Sequence, residues 1–185
     1  MKDDFFKSEE VSDLYEKVQD ESGGIESLLQ KIPGLKGYME RGKRRKADQL
    51  LRETVASRLE QTRVKFSQAQ QELSRDIVKA MDHAEPMGRV DTKLAGLIGK
   101  LEAAPVGYAG FFDAVKVKED DLARIYTFDE QVVEDADNID TAVTNLNDAV
   151  LNNGDINNAI RTLDQLVTDA NNAFAQRDEV IKGIQ

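Results

Sequence analysis

The stretch from Glu40 to Ala84 decides the fold, and it reads ERGKRRKADQLLRETVASRLEQTRVKFSQAQQELSRDIVKAMDHA. It contains no Pro, and its only Gly is Gly42, near its start. Apolar or small residues recur along it at steps of three and four, which places them on one side of an α-helix. These positions are Ala47, Leu51, Val55, Leu59, Thr62, Phe66, Ala69, Leu73, Ile77, Ala80 and Ala84. The pattern predicts one continuous amphipathic helix, about 65 Å long at about 1.5 Å per residue, and therefore an elongated molecule.

The C-terminal third carries a second and stricter pattern. Apolar residues keep heptad spacing in two arms, which the short segment from Asn152 to Asp155 separates. The positions are Leu122, Ile125, Val132, Ala136, Ile139, Val143, Leu146 and Val150 in the first arm, and Ile156, Ile160, Leu163, Val167, Ala170, Phe174, Ile181 and Ile184 in the second. Gly154 is expected to stop the first helix and Asp155 to cap the second. The pattern predicts an antiparallel coiled-coil hairpin.

The chain between these two stretches predicts a shorter helix. Pro86 and Gly88 are expected to end the long helix, and Asp91 is expected to cap the next one, over residues 92–104. In that helix a ridge of small residues repeats every fourth position and would let another helix approach closely. The ridge consists of Ala95, Gly99 and Ala103.

The predicted fold class is all-α: an elongated helical bundle with one long amphipathic helix and the C-terminal hairpin. Short helices over residues 3–21 and 25–32 precede the long helix. Two parts are expected. Residues 1–118 hold the N-terminal helices, the basic long helix and the Gly-rich helix, and residues 119–185 form the acidic hairpin. The alternative is one continuous bundle, because opposite charges on neighbouring helices favour their association.

Composition and charge bound the function. The net charge is −10, but Lys and Arg outnumber Asp and Glu by 10 to 4 between residues 34 and 65. An acidic chain with a local basic patch argues against general nucleic-acid binding. The chain has no Cys, which excludes disulfides, thiolate metal sites and cysteine nucleophiles. The N-terminal residues lack the apolar segment of a signal peptide, and charges and Pro105 interrupt the most apolar run, so we expect a cytoplasmic location.

The sequence offers no recognisable catalytic motif. His83 is the only His, and the residue three before it is Ala80, so the Glu-x-x-His pairs of a helical di-metal site are missing. We expect His83 to lie at a helix end. Gly107 and Gly110 do not match the glycine spacing of phosphate-binding loops.

Three further carboxylates match calcium-binding loops only in their acid density. They are Asp135, Asp137 and Asp140, and we expect them on a solvated helical face. These absences predict a protein with no metal, no cofactor and no enzymatic activity. A metal-independent enzyme is the remaining enzymatic alternative.

Two charged residues occupy core positions of the hairpin. Asp129 fills a missing heptad place in the first arm, and Arg177 interrupts the stripe of the second. In an antiparallel hairpin whose loop is centred near Asn153, the two lie opposite each other. We therefore predict a buried or half-buried Asp129–Arg177 ion pair, which would fix the register of the hairpin. A basic residue of the long helix is the alternative partner for Asp129.

A basic run opens the long helix and is the candidate site for an anionic partner. Its residues are Arg41, Lys43, Arg44, Arg45 and Lys46. Three interpretations stay open: a solvated or internally paired face, a site for anionic lipid headgroups, and a nucleic-acid site. The third is disfavoured because base-stacking aromatic residues are missing around the run.

Two segments resemble pieces of an uncharacterised family of small bacterial helical proteins. They are IPGLKGYMERGKRRKADQLLRETVASRLE at 32–60 and GYAGFFDAVKVKEDDLARIYTFDEQV at 107–132, and the patterns that carry the likeness are IPG-x-KGY, RR-x-AD and GY-x-G-FFD. The resemblance implies a bacterial cytosolic helical protein and carries over no functional residue. More loosely, a long basic helix followed by a hairpin is similar in architecture to the membrane-remodelling proteins related to phage shock protein A.

The function expected from these observations is a non-enzymatic coiled-coil interaction or scaffold protein that acts through amphipathic helix faces and self-associates. Its protein partners are not identifiable from the sequence. The alternative is a peripheral membrane-surface protein in envelope maintenance that binds anionic lipid through residues 41–46.

Overall fold

A computed structural model describes residues 24–35, 44–104 and 119–183, and the prediction of an all-α bundle is confirmed for them. They form five helices and no strand. The helices are α1 (Gly24–Lys31), α2 (Arg44–Leu73), α3 (Ile77–Ala103), α4 (Glu119–Leu151) and α5 (Ile156–Gly183). The predicted helix over residues 3–21 lies outside the described residues.

The long helix is shorter than predicted, because it ends at Leu73. The backbone turns at Ser74 and Arg75, and a second helix begins at Ile77. Asp76 has extended backbone angles, φ −113° and ψ 113°, and its carboxylate accepts hydrogen bonds from the amides of Val78 and Lys79. This N-cap satisfies two of the four amides that a helix start leaves without a partner. The prediction of one continuous helix over 40–84 is therefore wrong.

Pro86 and Gly88 do not end a helix, which is also a correction. Both lie inside α3, which runs without interruption to Ala103. Asp91, the expected cap, is a mid-helix residue. A Pro in a helix interior removes one backbone hydrogen bond, but α3 buries one apolar stripe along its length, and this burial holds the helix together. The buried residues are His83, Met87, Val90, Leu94, Leu97, Ile98 and Leu101.

The chain divides into two compact units, each built from separate stretches of sequence. Unit 1 comprises residues 1–52, 105–131 and 176–185, and unit 2 comprises residues 53–104 and 132–175. Each unit therefore takes residues from both sides of the division expected at 118/119. The described core of unit 1 consists of Leu28, Ile32, Leu35, Ala47, Leu51, Ile125 and Tyr126.

Unit 2 is a four-helix arrangement of parts of α2, α3, α4 and α5. Polar contacts between side chains join α2 to α3, α2 to α4 and α3 to α5. A four-residue loop joins α4 to α5, and Asn153 takes a positive φ of 53° in it. Gly154 donates its amide to the Ala149 carbonyl at 2.8 Å, and Asp155 accepts from the Asn158 amide at 2.9 Å. The loop and cap of the hairpin thus stand where the sequence places them, while supercoiling of the two arms stays a prediction.

Candidate functional site

Unit 1 contains a buried cluster of four charged side chains. Arg177 donates from Nε to Asp129 Oδ1 at 2.5 Å and from Nη2 to Asp48 Oδ1. Arg52 donates from Nε to the other oxygen of Asp48 at 3.1 Å. None of the four residues is more than 3% exposed. The structure therefore brings the predicted pair Asp129 and Arg177 into contact and adds Asp48 and Arg52 to it.

The charges of this cluster balance, two against two, but its groups are not equally satisfied. Burial raises the pKa of the Asp129 carboxyl, and the neighbouring Arg177 charge opposes the rise. Asp129 Oδ2 has no hydrogen-bond partner among the described residues, which agrees with that direction. For Arg177, burial works toward a lower pKa, but the charges of Asp129 and Asp48 outweigh it and raise the pKa.

The geometry of the cluster suits a structural role. A buried charge is tolerated only where its partners are in place, so one packing of α2, α4 and α5 within unit 1 is favoured over packings shifted along the helices. The sequence signal for Asp48 and Arg52 is their spacing of four residues on the buried side of α2, next to the stripe residues Ala47 and Leu51.

Charged residues on the surface of unit 2 pair across helices. Asp140 accepts hydrogen bonds from Thr62 Oγ1 and from Lys65 Nζ, both at 2.7 Å. Partial burial works to raise the pKa of the Asp140 carboxyl, but the hydrogen bonds from Lys65 and Thr62 outweigh it and lower the pKa. Asp137 Oδ1 lies 3.6 Å from Arg58 Nη1. Asp137 and Asp140 are therefore contacts between α4 and the basic helix, and not merely a solvated face as expected.

A shallow groove of about 360 Å³ runs beside these pairs. Its lining consists of Arg58, Gln61, Thr62, Lys65, Ala136, Asp137, Asp140 and Thr141. The ionised groups in it already bond to one another, so they act here as links between α2 and α4.

His83 is not at a helix end, which corrects the expectation. It lies in the buried stripe of α3, is 8% exposed, and its Nδ1 has no hydrogen-bond partner among the described residues. In the part of the chain that the structure describes, no group of three or more His, Asp or Glu side chains is arranged to hold a metal ion.

The basic run lies mostly outside the described residues. Residues 41–43 are not described, and Arg44 and Arg45 begin α2 without described side chains. Lys46 is exposed. The basic run as a site for an anionic partner therefore stays a prediction. Gly107 and Gly110 also lie outside the described residues.

The outward side of α3 is the most unusual surface among the described residues. Three large apolar side chains at its start are exposed: Ile77 by 77%, Val78 by 64% and Met81 by 78%. Further along the same side, a Cβ added at Gly88, Gly96 or Gly99 would meet no atom within 4 Å. We call this surface the outer face of α3; its apolar and small residues are Ile77, Val78, Met81, Ala84, Gly88, Thr92, Ala95, Gly96, Gly99 and Ala103, and the exposed Glu85 and Glu102 lie among them.

The outer face is turned away from the core. At about 100° per residue, Met81 lies about 180° from Val90 and about 120° from Met87 of the buried stripe. The small-residue ridge predicted from Ala95, Gly99 and Ala103 belongs to this side, and Gly99 and Ala103 are exposed. No other described helix of unit 2 needs it for packing, because α3 meets its neighbours through the buried stripe.

Comparisons of the chain with protein-family models, with curated proteins and with solved structures find no match. None of the described helices has an apolar stretch long enough to cross a bilayer.

Proposed function

We propose that this is a non-enzymatic helical interaction protein that binds a protein partner through the outer face of α3. The observation that carries the proposal is the exposure of Ile77, Val78 and Met81 within the first five residues of one helix. Single exposed apolar residues are normal on a protein surface, but neighbouring large ones mark an interaction site.

The remainder of the outer face supports the same function. Gly88, Gly96 and Gly99 leave the backbone of α3 open on this side. The axes of two packed helices usually lie about 8–10 Å apart, depending on the side chains between them, so glycines allow a partner helix to approach to the short end of that range. Glycine lowers the stability of a helix interior by up to about 1 kcal/mol compared with alanine. The three exposed glycines therefore lower the stability of α3 and contribute no packing within the isolated bundle.

The helix is stable without its partner. The opposite side of α3 is buried, Asp76 caps its start, and Arg63 on α2 holds Asp91 through two hydrogen bonds of 2.8 and 3.1 Å. Lys93 is held in the same way by Asp164 and Thr168 of α5, at 2.8 Å each. A partner would therefore meet a preformed surface, which reduces the entropy lost on binding.

Photo-crosslinking in the native cells tests the proposal. A benzophenone amino acid replaces Met81 in one variant and Thr162, an exposed residue of α5, in a control. We expect a protein adduct from position 81 and none from position 162. No adduct from position 81, or equal adducts from both positions, would contradict the proposal.

A further inference from the structure

We infer that the partner of the outer face of α3 is the same face of a second copy of this chain, packed antiparallel about a two-fold axis near residue 90. This inference rests on the proposed function and names the partner. Four features of the face carry it: its length, its gradient of side-chain size, the threonine hydroxyl near its middle and the charges beside it.

The outer face runs the whole length of α3. Its members recur at steps of three and four from one end of the helix to the other, at Ile77, Met81, Ala84, Gly88, Thr92, Ala95, Gly99 and Ala103. A helix of 27 residues is about 40 Å long at about 1.5 Å per residue. The face is therefore long enough for a helix-to-helix contact of many turns.

The size of the side chains changes from one end of the face to the other. The first two turns carry Ile77, Val78 and Met81, whereas the apolar positions of the last turns carry Gly96, Gly99 and Ala103, with the exposed Glu102 at the edge of the face. In an antiparallel pair centred at position 90, residues equally distant from that position meet. Ile77 then faces Ala103 of the second copy and Met81 faces Gly99, so each large side chain enters the space that a small residue leaves.

A parallel pair would bring the same ends together. Met81 would then meet Met81, and Gly99 would meet Gly99, which crowds one end and leaves voids at the other. Packing of that kind loses contacts at the voids and strains the crowded end. The gradient of size therefore selects the antiparallel arrangement, and the two-fold axis makes the face complementary to itself.

Thr92, near the middle of the face, needs no polar partner from the second copy. Thr92 donates its hydroxyl to the Gly88 carbonyl one turn earlier, at 2.8 Å. These two residues flank position 90 and would face each other across the axis. Because the hydroxyl already has an acceptor in its own helix, burying it between two copies leaves no unsatisfied group.

Charges along one flank of the face agree with the antiparallel direction. Asp82 and Lys100 are both exposed and lie on the same flank, eight residues before and ten residues after position 90. Antiparallel packing brings Asp82 close to Lys100 of the second copy, and the axis repeats this contact. Glu85 lies on the face itself, and its Oε1 accepts a hydrogen bond from Arg89 Nη1 at 2.5 Å, so its charge is paired within its own helix. Lys100 donates to Asn171 at 2.9 Å and can keep that bond, since an ammonium group has three donors.

The size of the contact sets the expected affinity. A single helix pair lies at the small end of specific protein interfaces, so we expect a dissociation constant on the order of micromolar. The dimer is then a concentration-dependent assembly and not an obligate one.

The absence of Cys from the chain permits a direct test of orientation and register. Met81→Cys carrying a size tag is mixed with untagged Gly99→Cys under mild oxidation. We expect the disulfide between positions 81 and 99 of different copies to dominate over the 81–81 and 99–99 products. Gly99 tolerates the new side chain in the monomer, because a Cβ there meets no atom within 4 Å. Thr162→Cys is the control and should form no disulfide above the level of random collision.

A charge exchange provides a second measurement that does not depend on cysteine chemistry. Asp82→Lys and Lys100→Asp should each weaken dimerisation severalfold, and the double variant should recover most of the loss. Circular dichroism spectra and unfolding curves matched to the wild type show that each variant has kept its fold.

The outcomes separate this inference from the proposed function. A purified chain that stays monomeric at hundreds of micromolar, or a dominant 81–81 disulfide, would overturn the antiparallel dimer. If the benzophenone at position 81 then joined a different protein, or residues 1–23 of its own chain, the dimer would be wrong. An adduct with a different protein would leave the proposed function standing. An adduct with residues 1–23 of its own chain would contradict both the dimer and the proposed function. No adduct at position 81 would also remove both.

Discussion

Among the described residues of unit 1, Arg177 is the one whose replacement should matter most. Arg177→Met keeps much of the side-chain volume but leaves the fully buried Asp129 without its counter-charge. Removing one partner of a buried ion pair costs about 3–5 kcal/mol, because the remaining charge stays desolvated. For a chain of this size about 2–4 °C of melting temperature is lost per kcal/mol, so a fall of about 6–20 °C is expected.

The partner substitution and the double variant measure the coupling between these two residues. In Asp129→Leu, Arg177 keeps Asp48, and we expect a cost of about 1–3 kcal/mol. In the double variant Asp129→Leu/Arg177→Met, Asp48 keeps Arg52 at 3.1 Å, and no buried charge loses its last counter-charge. Its cost should be below about 2 kcal/mol, less than that of Arg177→Met alone, because a buried ion pair replaced by apolar groups is often neutral in stability.

The pH dependence adds a signature that loss of packing alone would not give. Burial raises the pKa of Asp129 in the folded state above its value in the unfolded chain. A carboxyl shifted in this direction stabilises the fold when it is protonated, and it loses that contribution as pH rises through its folded pKa. Without Arg177 the pKa of Asp129 should rise further. The deficit of Arg177→Met should therefore shrink as the pH falls below neutral.

Urea unfolding followed by circular dichroism, for the four chains at two pH values, provides the free energies of unfolding. If Asp129 and Arg177 stabilise each other as a buried ion pair, their coupling is at least about 2 kcal/mol. Additive effects of the two single variants, or a deficit of Arg177→Met that does not change with pH, would refute it.

Three smaller predictions concern the cap of α3, an ion pair of unit 2 and the basic run. Asp76→Ala should lower the free energy of unfolding by about 0.5–2 kcal/mol in urea titrations, whereas Asp76→Asn, which keeps the acceptor, should cost less. Asp140→Asn should cost less than about 1 kcal/mol at neutral pH, because the site is partly exposed. Folding lowers the pKa of Asp140, so its contribution to the free energy of unfolding is present above the unfolded-state pKa and is lost as pH falls through the folded-state pKa. The free energies of unfolding of the wild type and Asp140→Asn should therefore converge in acid. The chain should not pellet with anionic vesicles at low salt; salt-sensitive pelleting that Arg44→Glu/Arg45→Glu abolishes would instead favour the lipid-binding alternative.

The hairpin loop was predictable because local and periodic signals agree there. Asn153 and Gly154 suit a left-handed turn, Asp155 suits a cap, and the heptads on both sides stop and restart at the same place. At residues 74–76 the two signals conflict. The apolar stripe continues in register from Leu73 to Ile77, so the periodicity predicts an unbroken helix. The Asp76 carboxylate instead accepts hydrogen bonds from backbone amides, which stabilises a turn and a new helix start.

Pro86 shows the opposite outcome, in which packing prevails over local propensity. A Pro followed closely by Gly88 favours a helix end, but the buried residues on both sides of it hold α3 together. Propensity is a weak signal beside the burial of a whole stripe, and the sequence alone does not show how well that stripe is packed.

Two of the four residues in the buried charged cluster could be predicted from the sequence. Asp129 and Arg177 interrupt heptads, and the symmetry of a hairpin makes them opposite each other. Asp48 and Arg52 lie in a helix whose rotation relative to the hairpin no sequence pattern sets. The outer face of α3 was missed for a similar reason. The ridge of Ala95, Gly99 and Ala103 is visible in the sequence, but whether it faces the core or the solvent depends on which of two stripes the bundle buries.

Sedimentation equilibrium of the purified chain, beside Met81→Glu, tests most directly whether the outer face of α3 joins two copies. The wild type should shift with rising concentration from the 20.7 kDa of one chain toward twice that mass. Met81→Glu places a charge where a large apolar side chain was exposed, so it should keep its fold and weaken the association at least tenfold. A wild-type chain that holds the single-chain mass throughout, or a variant that associates as well as the wild type, would contradict the dimer.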